Sequence, residues 1–391
     1  MTFNINQTEF PSAIHQAIWN AGRLIFPLNK SLPLIQDENV KEACIDLHNC
    51  VLDVYAEMYS NSEQYGLDTK EAESLLSGKS WSRAVLTARV KKDKTKQKAL
   101  ERIRSRIDLF HFLYIRLIYE NDILITDENA IMPKENYKRN IKTYKANCGF
   151  DETQVLEIIK RFGFEFDFRS DNFILVNKKH PNLFKAVLML RNIIKVQKNK
   201  SKNSIAVACN YLDFRVLSEQ KYDCTFEDAL YSLDDENKKE LFRLQKFILS
   251  LKLKQICRLN SVEWFHKGKM LAKYYGARHY LDVNQFGDAN DLFTISYSKW
   301  LYNCQNHFEQ KVKERHNADQ IEMFCLKNIK RCRVCGHSGC INSNSPGVPI
   351  SLFGKTVHTC CGNANFGVES ITEENYNILQ ELIQIKYDCE D

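Results

Sequence analysis

Between residues 11 and 145 the apolar positions recur at helical spacing. The pattern predicts helices over residues 15–25, 40–59 and 69–76, a basic helix over 89–106 and an apolar continuation over 107–125, the last two open to being one helix. In the continuation Ile107, Phe110, Leu113, Tyr114, Leu117 and Ile118 share one face, which can pack against the earlier helices. The chain turns polar over 145–151 and restarts at Gly149 and Asp151-Glu152, a helix start that marks a boundary.

Beyond it the period drops to two. Phe164, Phe166 and Phe168 alternate with Gly163, Glu165 and Asp167, Ser170-Asp171-Asn172 supplies a turn, and 173–176 returns as a second strand. Pro181 suits a first helical position ahead of a helix over 183–194, and a strand is expected over 205–209. A helical pair follows, 225–233 and 234–253, with Thr225-x-x-Asp228 as its capping box. A second hairpin is predicted over 262–265 and 270–275 about His266-Lys267-Gly268, extended by short strands over 279–283 and 292–296. A polar helical stretch over 304–330 and a closing helix over 373–385 complete the pattern.

The fold class this implies is α+β: a helical amino-terminal domain (1–148), an antiparallel sheet flanked by helices (149–330), and a carboxyl-terminal cysteine module with its closing helix (331–391). Composition agrees, since only 14 Gly and 7 Pro in 391 residues favour long helices over a loop-rich sandwich. A net charge of +6 is too small for a nucleic-acid condenser, so local patches matter more than the total. The amino terminus carries no basic segment leading into an apolar core and no stretch is apolar enough for a bilayer, which predicts a cytoplasmic protein without membrane association. There is no phosphate-binding G-x-x-x-x-G-K-[ST], no G-x-G-x-x-G after a strand and no G-x-S-x-G, which disfavours the standard nucleotide-binding and hydrolase classes.

Eight of the fourteen cysteines are scattered singly from Cys44 to Cys325, and Cys50, Cys209 and Cys257 read as small core residues. Five others crowd into residues 332–361 as CRVCGHSGC and a returning CCG. Cys332-x-x-Cys335-Gly336 sets two thiolates at a tight turn, and tetrahedral zinc needs two further ligands. Cys340 and Cys361 are the expected pair, with Cys360 an alternative to Cys361, His358-x-x-Cys361 a second arrangement and His337 a further candidate. A redox dithiol and an iron–sulfur cluster are the competing readings. Carried by Cys332, Cys335, Gly336, Cys340 and Cys360-Cys361-Gly362, the segment resembles a generic zinc knuckle or ribbon. The resemblance covers less than a tenth of the chain, implies a structural zinc ion and implies no activity.

Residues 89–106 hold nine Lys or Arg against Asp93 and Glu101. Arg89, Lys91, Lys92, Lys94, Lys96, Lys98 and Arg102 are the candidate nucleic-acid contacts, able to neutralise phosphates; a solvated helix face is the structural alternative. Lys195, Lys198, Lys200 and Lys202 form a smaller patch. Glu263 with Asp282, Asp288 and Asp291 reads as loop acidity ahead of a metal cluster. Three functions follow as expectations: a zinc-stabilised protein that binds nucleic acid or a partner protein, an enzyme with a pocket between the helical domain and the sheet, or an assembly component.

Overall fold

A computed structural model describes residues 7, 9–67, 69–76, 84, 88, 91, 93–169, 171–196, 202–218, 223–259, 261–276, 292–298, 300–330, 347–359 and 364–390. The chain forms two compact units, one of Met1–Ala84 with Lys94–Asp223, the other of Val85–Asp93 with Cys224–Asp391. Both mix helices with antiparallel sheet, so the class is α+β.

The first unit opens with helices α1 (Ala13–Gly22), α2 (Glu38–Ser60), α3 (Thr69–Leu76), α4 (Lys94–Ile107) and α5 (Leu109–Tyr119). The first two start where a side chain takes up orphan amides: Ser12 accepts from His15 N, and Asp37 accepts from Asn39 N and Val40 N. Along α2 the buried stripe runs Ala43, Leu47, Cys50, Val54 and Met58, the three-to-four spacing of one helix face. Strands β1 (Leu124–Ile125) and β2 (Ala130–Pro133) lead into α6 (Lys134–Cys148) and α7 (Glu152–Arg161). The hairpin β3 (Phe164–Arg169) and β4 (Asn172–Asn177) follows, then α8 (Leu183–Val196), which packs on α2 and α5, and α9 (Lys202–Asn210). The four strands form one antiparallel sheet in the order β1-β2-β4-β3.

The second unit contains a helical turn at Phe226–Ala229, opened by the Thr225–Asp228 capping box, and α10 (Asp235–Ser250). Strands β5 (Lys254–Arg258), β6 (Ser261–His266), β7 (Lys269–Tyr275) and β8 (Phe293–Ser298) come next, then helices α11 (Trp300–Lys313) and α12 (Ala318–Asn328). β9 (Val348–Leu352), β10 (Lys355–Thr359), β11 (Ala364–Val368) and α13 (Glu373–Glu390) close it. The main sheet is antiparallel in the order β11-β8-β7-β6-β5, and β9 and β10 make a separate hairpin. Both tight hairpins turn through two residues of positive φ, Lys267-Gly268 (46° and 82°) and Phe353-Gly354 (50° and 70°), the turn whose twist matches that of paired strands. Trp264, on β6, is fully buried with Nε1 donating to Gln255 Oε1 at 2.9 Å. Tyr297 Oη donates to Leu382 O at 2.7 Å, and Lys386 Nζ donates to Met270 O at 3.0 Å, so α13 is fastened under β7 and β8.

Several expectations are corrected. The anticipated division at residue 148 falls inside the first unit, because β2 pairs with β4 across it and one sheet belongs to both sides. The apolar stretch over 107–125 is neither continuous with α4 nor wholly helical. It breaks at buried Asp108 (ψ 0°), ends at Tyr119 and finishes as β1. Residues 205–209, expected as a strand, lie within α9; a five-residue apolar run has no period of its own, and packing against α8 decides its form. The helix expected over 225–233 is one short turn, and that over 304–330 is two helices broken near Arg315, which pairs with Glu381 at 3.3 Å. The strand expected over 279–283 lies outside the described residues.

Candidate nucleic-acid interface

Gly149 ends α6 in the left-handed conformation (φ 77°), its amide returning to Lys145 O, which is the ordinary use of glycine at a helix carboxyl terminus. Two residues on, Asp151 opens α7 with a reciprocal capping box: Asp151 Oδ1 accepts from Gln154 N at 2.9 Å, and Asp151 N donates to Gln154 Oε1 at 3.0 Å. Two helices are thus joined by three residues containing a glycine, a helix-turn-helix arrangement. A hairpin, β3-β4, follows the second helix, and β2, immediately before the first, pairs with β4. The chain order here is helix, strand, helix, helix, hairpin, with strands ordered β2-β4-β3.

The basic helix found in the sequence packs on this turn. Arg106 Nε donates to Cys148 O at 2.9 Å, Nη1 donates to Gly66 O, and the guanidinium stands 4.8 Å from the Phe150 ring centre. Burial, and then the charge of Arg102, pull its pKa below the usual guanidinium range. Arg102 lies across Gly149, where an added Cβ would come within 3.1 Å of Nε. Lys94, Lys98 and Arg102, each one helical turn from the next, are exposed, while Leu100, Ile103 and Ile107 are buried beneath α4. α6 exposes Lys134, Lys138, Lys142 and Lys145. None of these seven cations makes an ion pair among the described residues, whereas Arg139 on α6 reaches Asp122 at 3.8 Å. α4 carries six Lys or Arg and α6 five, against a single glutamate on each. α7 is close to neutral: Glu157 pairs with Lys160 at 2.9 Å, and Glu152 accepts from Tyr137 Oη at 2.7 Å.

Of the residues expected to contact nucleic acid, Lys94, Lys98 and Arg102 thus share the exposed face of one helix beside the turn, and Lys96 is half-buried. Lys91 is exposed and clusters with the second unit; Arg89 and Lys92 lie outside the described residues. From the second patch Lys195 is exposed at the end of α8, while Lys198, Lys200 and the side chain of Lys202 lie outside them. The α6 lysines were missed. Buried Tyr137, Asn140, Tyr144 and Cys148 against exposed lysines, ending at Gly149, are a legible amphipathic signature in hindsight.

Cys332, Cys335, Cys340, Cys360 and Cys361, with His337, lie outside the described residues, and among the described residues no three His, Cys, Asp or Glu side chains gather as a metal site. The flanks are described. Ile329 bridges Phe366, and Lys330 N donates to Asn365 O at 2.9 Å. Lys330 and Asn365 are therefore hydrogen-bonded neighbours, and β9 and β10, which lie between them in the chain, pack into the core of the second unit. His358, on β10 and partly buried, has a buried Nδ1 with no hydrogen-bond partner among the described residues. The scattered cysteines Cys44, Cys148 and Cys209 are buried, and burial raises each thiol to a pKa of about 12; Cys257 is half-buried and shifted the same way. Glu263 is ion-paired to Lys273 (2.5 Å) and Arg258 (2.6 Å), and its suggested acidic companions Asp282, Asp288 and Asp291 lie outside the described residues.

A cleft of about 300 Å³ lies in the first unit between α2 and the end of α7, lined by Asp53, Glu57, Ser60, Arg161, Phe162 and Lys179 among others. Its charges are matched to one another. Asp53 meets Lys179 at 2.7 Å and buried His180 at 3.1 Å, and Glu57 approaches Arg161 at 3.9 Å. Burial alone would raise the Asp53 pKa, but the hydrogen bonds and charges of Lys179 and His180 outweigh it and leave it lowered. Among the described residues no helix is long and apolar enough to cross a membrane. The chain matches no protein family, no curated protein and no solved structure.

Proposed function

We propose that this chain is a zinc-stabilised, cytoplasmic nucleic-acid-binding protein that contacts phosphates through α4 and α6 beside its helix-turn-helix. Topology alone would not carry that reading, because folds host many functions. What supports it is the set of seven exposed cations on the two helices packed at the turn, none of them ion-paired among the described residues. Holding like charges on neighbouring surfaces raises self-repulsion, and a polyanion relieves it while releasing its own counterions. The near-neutral α7 then offers Thr153, exposed at its start, to base edges.

The zinc reading rests on the cysteine spacing and on the anchored ends of the segment. Cys332 lies two residues after Lys330 and Cys361 four before Asn365, so the two arms start from hydrogen-bonded residues. The Nδ1 of His358, buried and without a hydrogen-bond partner among the described residues, favours His358 with Cys361 as the second ligand pair, beside Cys332 and Cys335. Four protein ligands leave no open coordination position, so the ion acts as a staple.

The test is fluorescence anisotropy with labelled DNA and RNA, single- and double-stranded, across a salt series. For duplex DNA, engagement of all seven cations corresponds to a log–log salt slope of up to roughly −6, and each Lys→Gln change at Lys98, Lys142 or Lys145 makes it shallower by about 1. Binding without salt dependence, or slopes indifferent to these changes, overturns the assignment.

A further inference from the structure

Phe168 is 47% exposed on β3, an edge strand of the first unit's sheet. A single exposed apolar side chain is ordinary, but this ring belongs to a group. Phe173 stacks on Tyr137 with centroids 4.5 Å apart, Phe166 lies 5.7 Å from Phe173, and Phe168 meets Tyr137 edge-on at 5.2 Å and Phe173 at 5.2 Å. Three of the four rings are thus held by their neighbours while the fourth is half open to solvent. The group touches both helices of the turn. Tyr137 belongs to α6 and hydrogen-bonds Glu152 at the start of α7, and Lys160, near the end of α7, lies 5.4 Å from the Phe166 ring centre.

The opposite face of the same strand carries charge. Glu165 and Asp167 point away from the rings, and each is neutralised, by Lys178 at 2.7 Å and Arg169 at 2.6 Å. No uncompensated carboxylate on β3 therefore opposes a phosphate chain approaching the aromatic face. Cations border that face through α6, where Lys134 N donates to Asp171 O at the hairpin tip and Lys138 follows Tyr137.

We infer that Phe168 is a stacking platform for an unpaired base, so that the nucleic acid this unit takes is single-stranded where it crosses the hairpin. The inference rests on the nucleic-acid reading above. A rigid ring beside lysines is the combination by which proteins hold single strands, since every base presents a π face and the phosphates meet the cations. The lysines supply attraction that falls with salt, and the ring supplies contact that does not.

The experiment uses the full chain, wild type, Phe168→Ala and Phe168→Trp, with fluorescein-labelled single-stranded and duplex oligonucleotides, one single strand carrying 2-aminopurine. Thermal unfolding first checks that the variants fold, which half-exposure of the ring favours. The expected result is a loss of single-strand affinity of about 5- to 150-fold in Phe168→Ala with the salt slope unchanged. Phe168→Trp retains binding, and quenching of 2-aminopurine by the wild type disappears in Phe168→Ala. Equal single-strand affinity of wild type and Phe168→Ala overturns the stacking role and leaves the phosphate contacts standing, as does tight binding confined to duplex. No salt-sensitive binding by the wild type overturns both.

Discussion

Glu263 shows how one residue's environment becomes a measurable property of the molecule. It is 8% exposed on β6, and burial by itself would raise its pKa; the hydrogen bond and charge of Lys273, with those of Arg258, more than offset this and hold the carboxyl below its ordinary range. A depressed native pKa means that the ion pairs contribute their full stability above the unfolded-state value and lose it as pH falls through the native one. Glu263→Gln is therefore expected to lower the urea midpoint of the second unit at pH 7, and the two midpoints are expected to converge in acid, below about pH 4. A gap of the same size at pH 7 and pH 3 would show that the charge contributes nothing. The buried thiols point the other way. A pKa near 12 at Cys44, Cys148 and Cys209 leaves almost no thiolate at neutral pH, so these residues serve packing.

At the scale of elements, the turn between α6 and α7 concentrates several local devices within a few residues. Gly149 supplies the left-handed stop, Asp151 and Gln154 the reciprocal cap, and Arg106 closes Cys148 O and Gly66 O from outside. Replacing Asp151 with Ala removes an N-cap and is expected to cost about 1 kcal/mol. The same change should loosen the start of α7 and speed amide exchange there more than in α2, which hydrogen exchange read by mass spectrometry would resolve; uniform exchange across both helices would count against a local role. Much of this was legible from residue types, because Gly149 and Asp151 act on their own backbone neighbours. What was not legible is the use of the turn. Arg102 and Arg106 sit more than forty residues before Gly149 and the Cys148 carbonyl, and only packing of α4 on α6 brings them there.

For the whole molecule, the zinc reading makes a prediction that separates the two units. Elemental analysis and native mass spectrometry of protein purified without added metal are expected to find one zinc per chain. Stripping it with a chelator should lower the unfolding temperature of the second unit and accelerate exchange over residues 348–368, leaving α2 in the first unit unaffected, since binding free energy at a structural zinc is folding free energy. No metal, together with a mass deficit matching hydrogens lost to disulfides, would make the cluster redox-active instead. Nucleic-acid affinity after zinc removal reports on something separate, because the seven cations of α4 and α6 belong to the first unit.

The sequence by itself determined whatever depends on near neighbours along the chain. Both hairpins, at 164–177 and 261–275, follow from alternating side chains around turn residues, and α3 spans residues 69–76 as its pattern predicts. The α+β class follows from these elements, and the exposed stripe of Lys94, Lys98 and Arg102 follows from helical spacing once α4 is formed. Tertiary structure alone decided the rest. The form of residues 205–209, the shared sheet across residue 148, the lysines of α6 beside the turn and the group of rings around Phe168 all depend on partners distant in sequence. Local preference differs between alternative forms by a fraction of a kcal/mol per residue, while burying one large apolar side chain contributes about 1.5–3 kcal/mol, so long-range packing outweighs it wherever the two disagree.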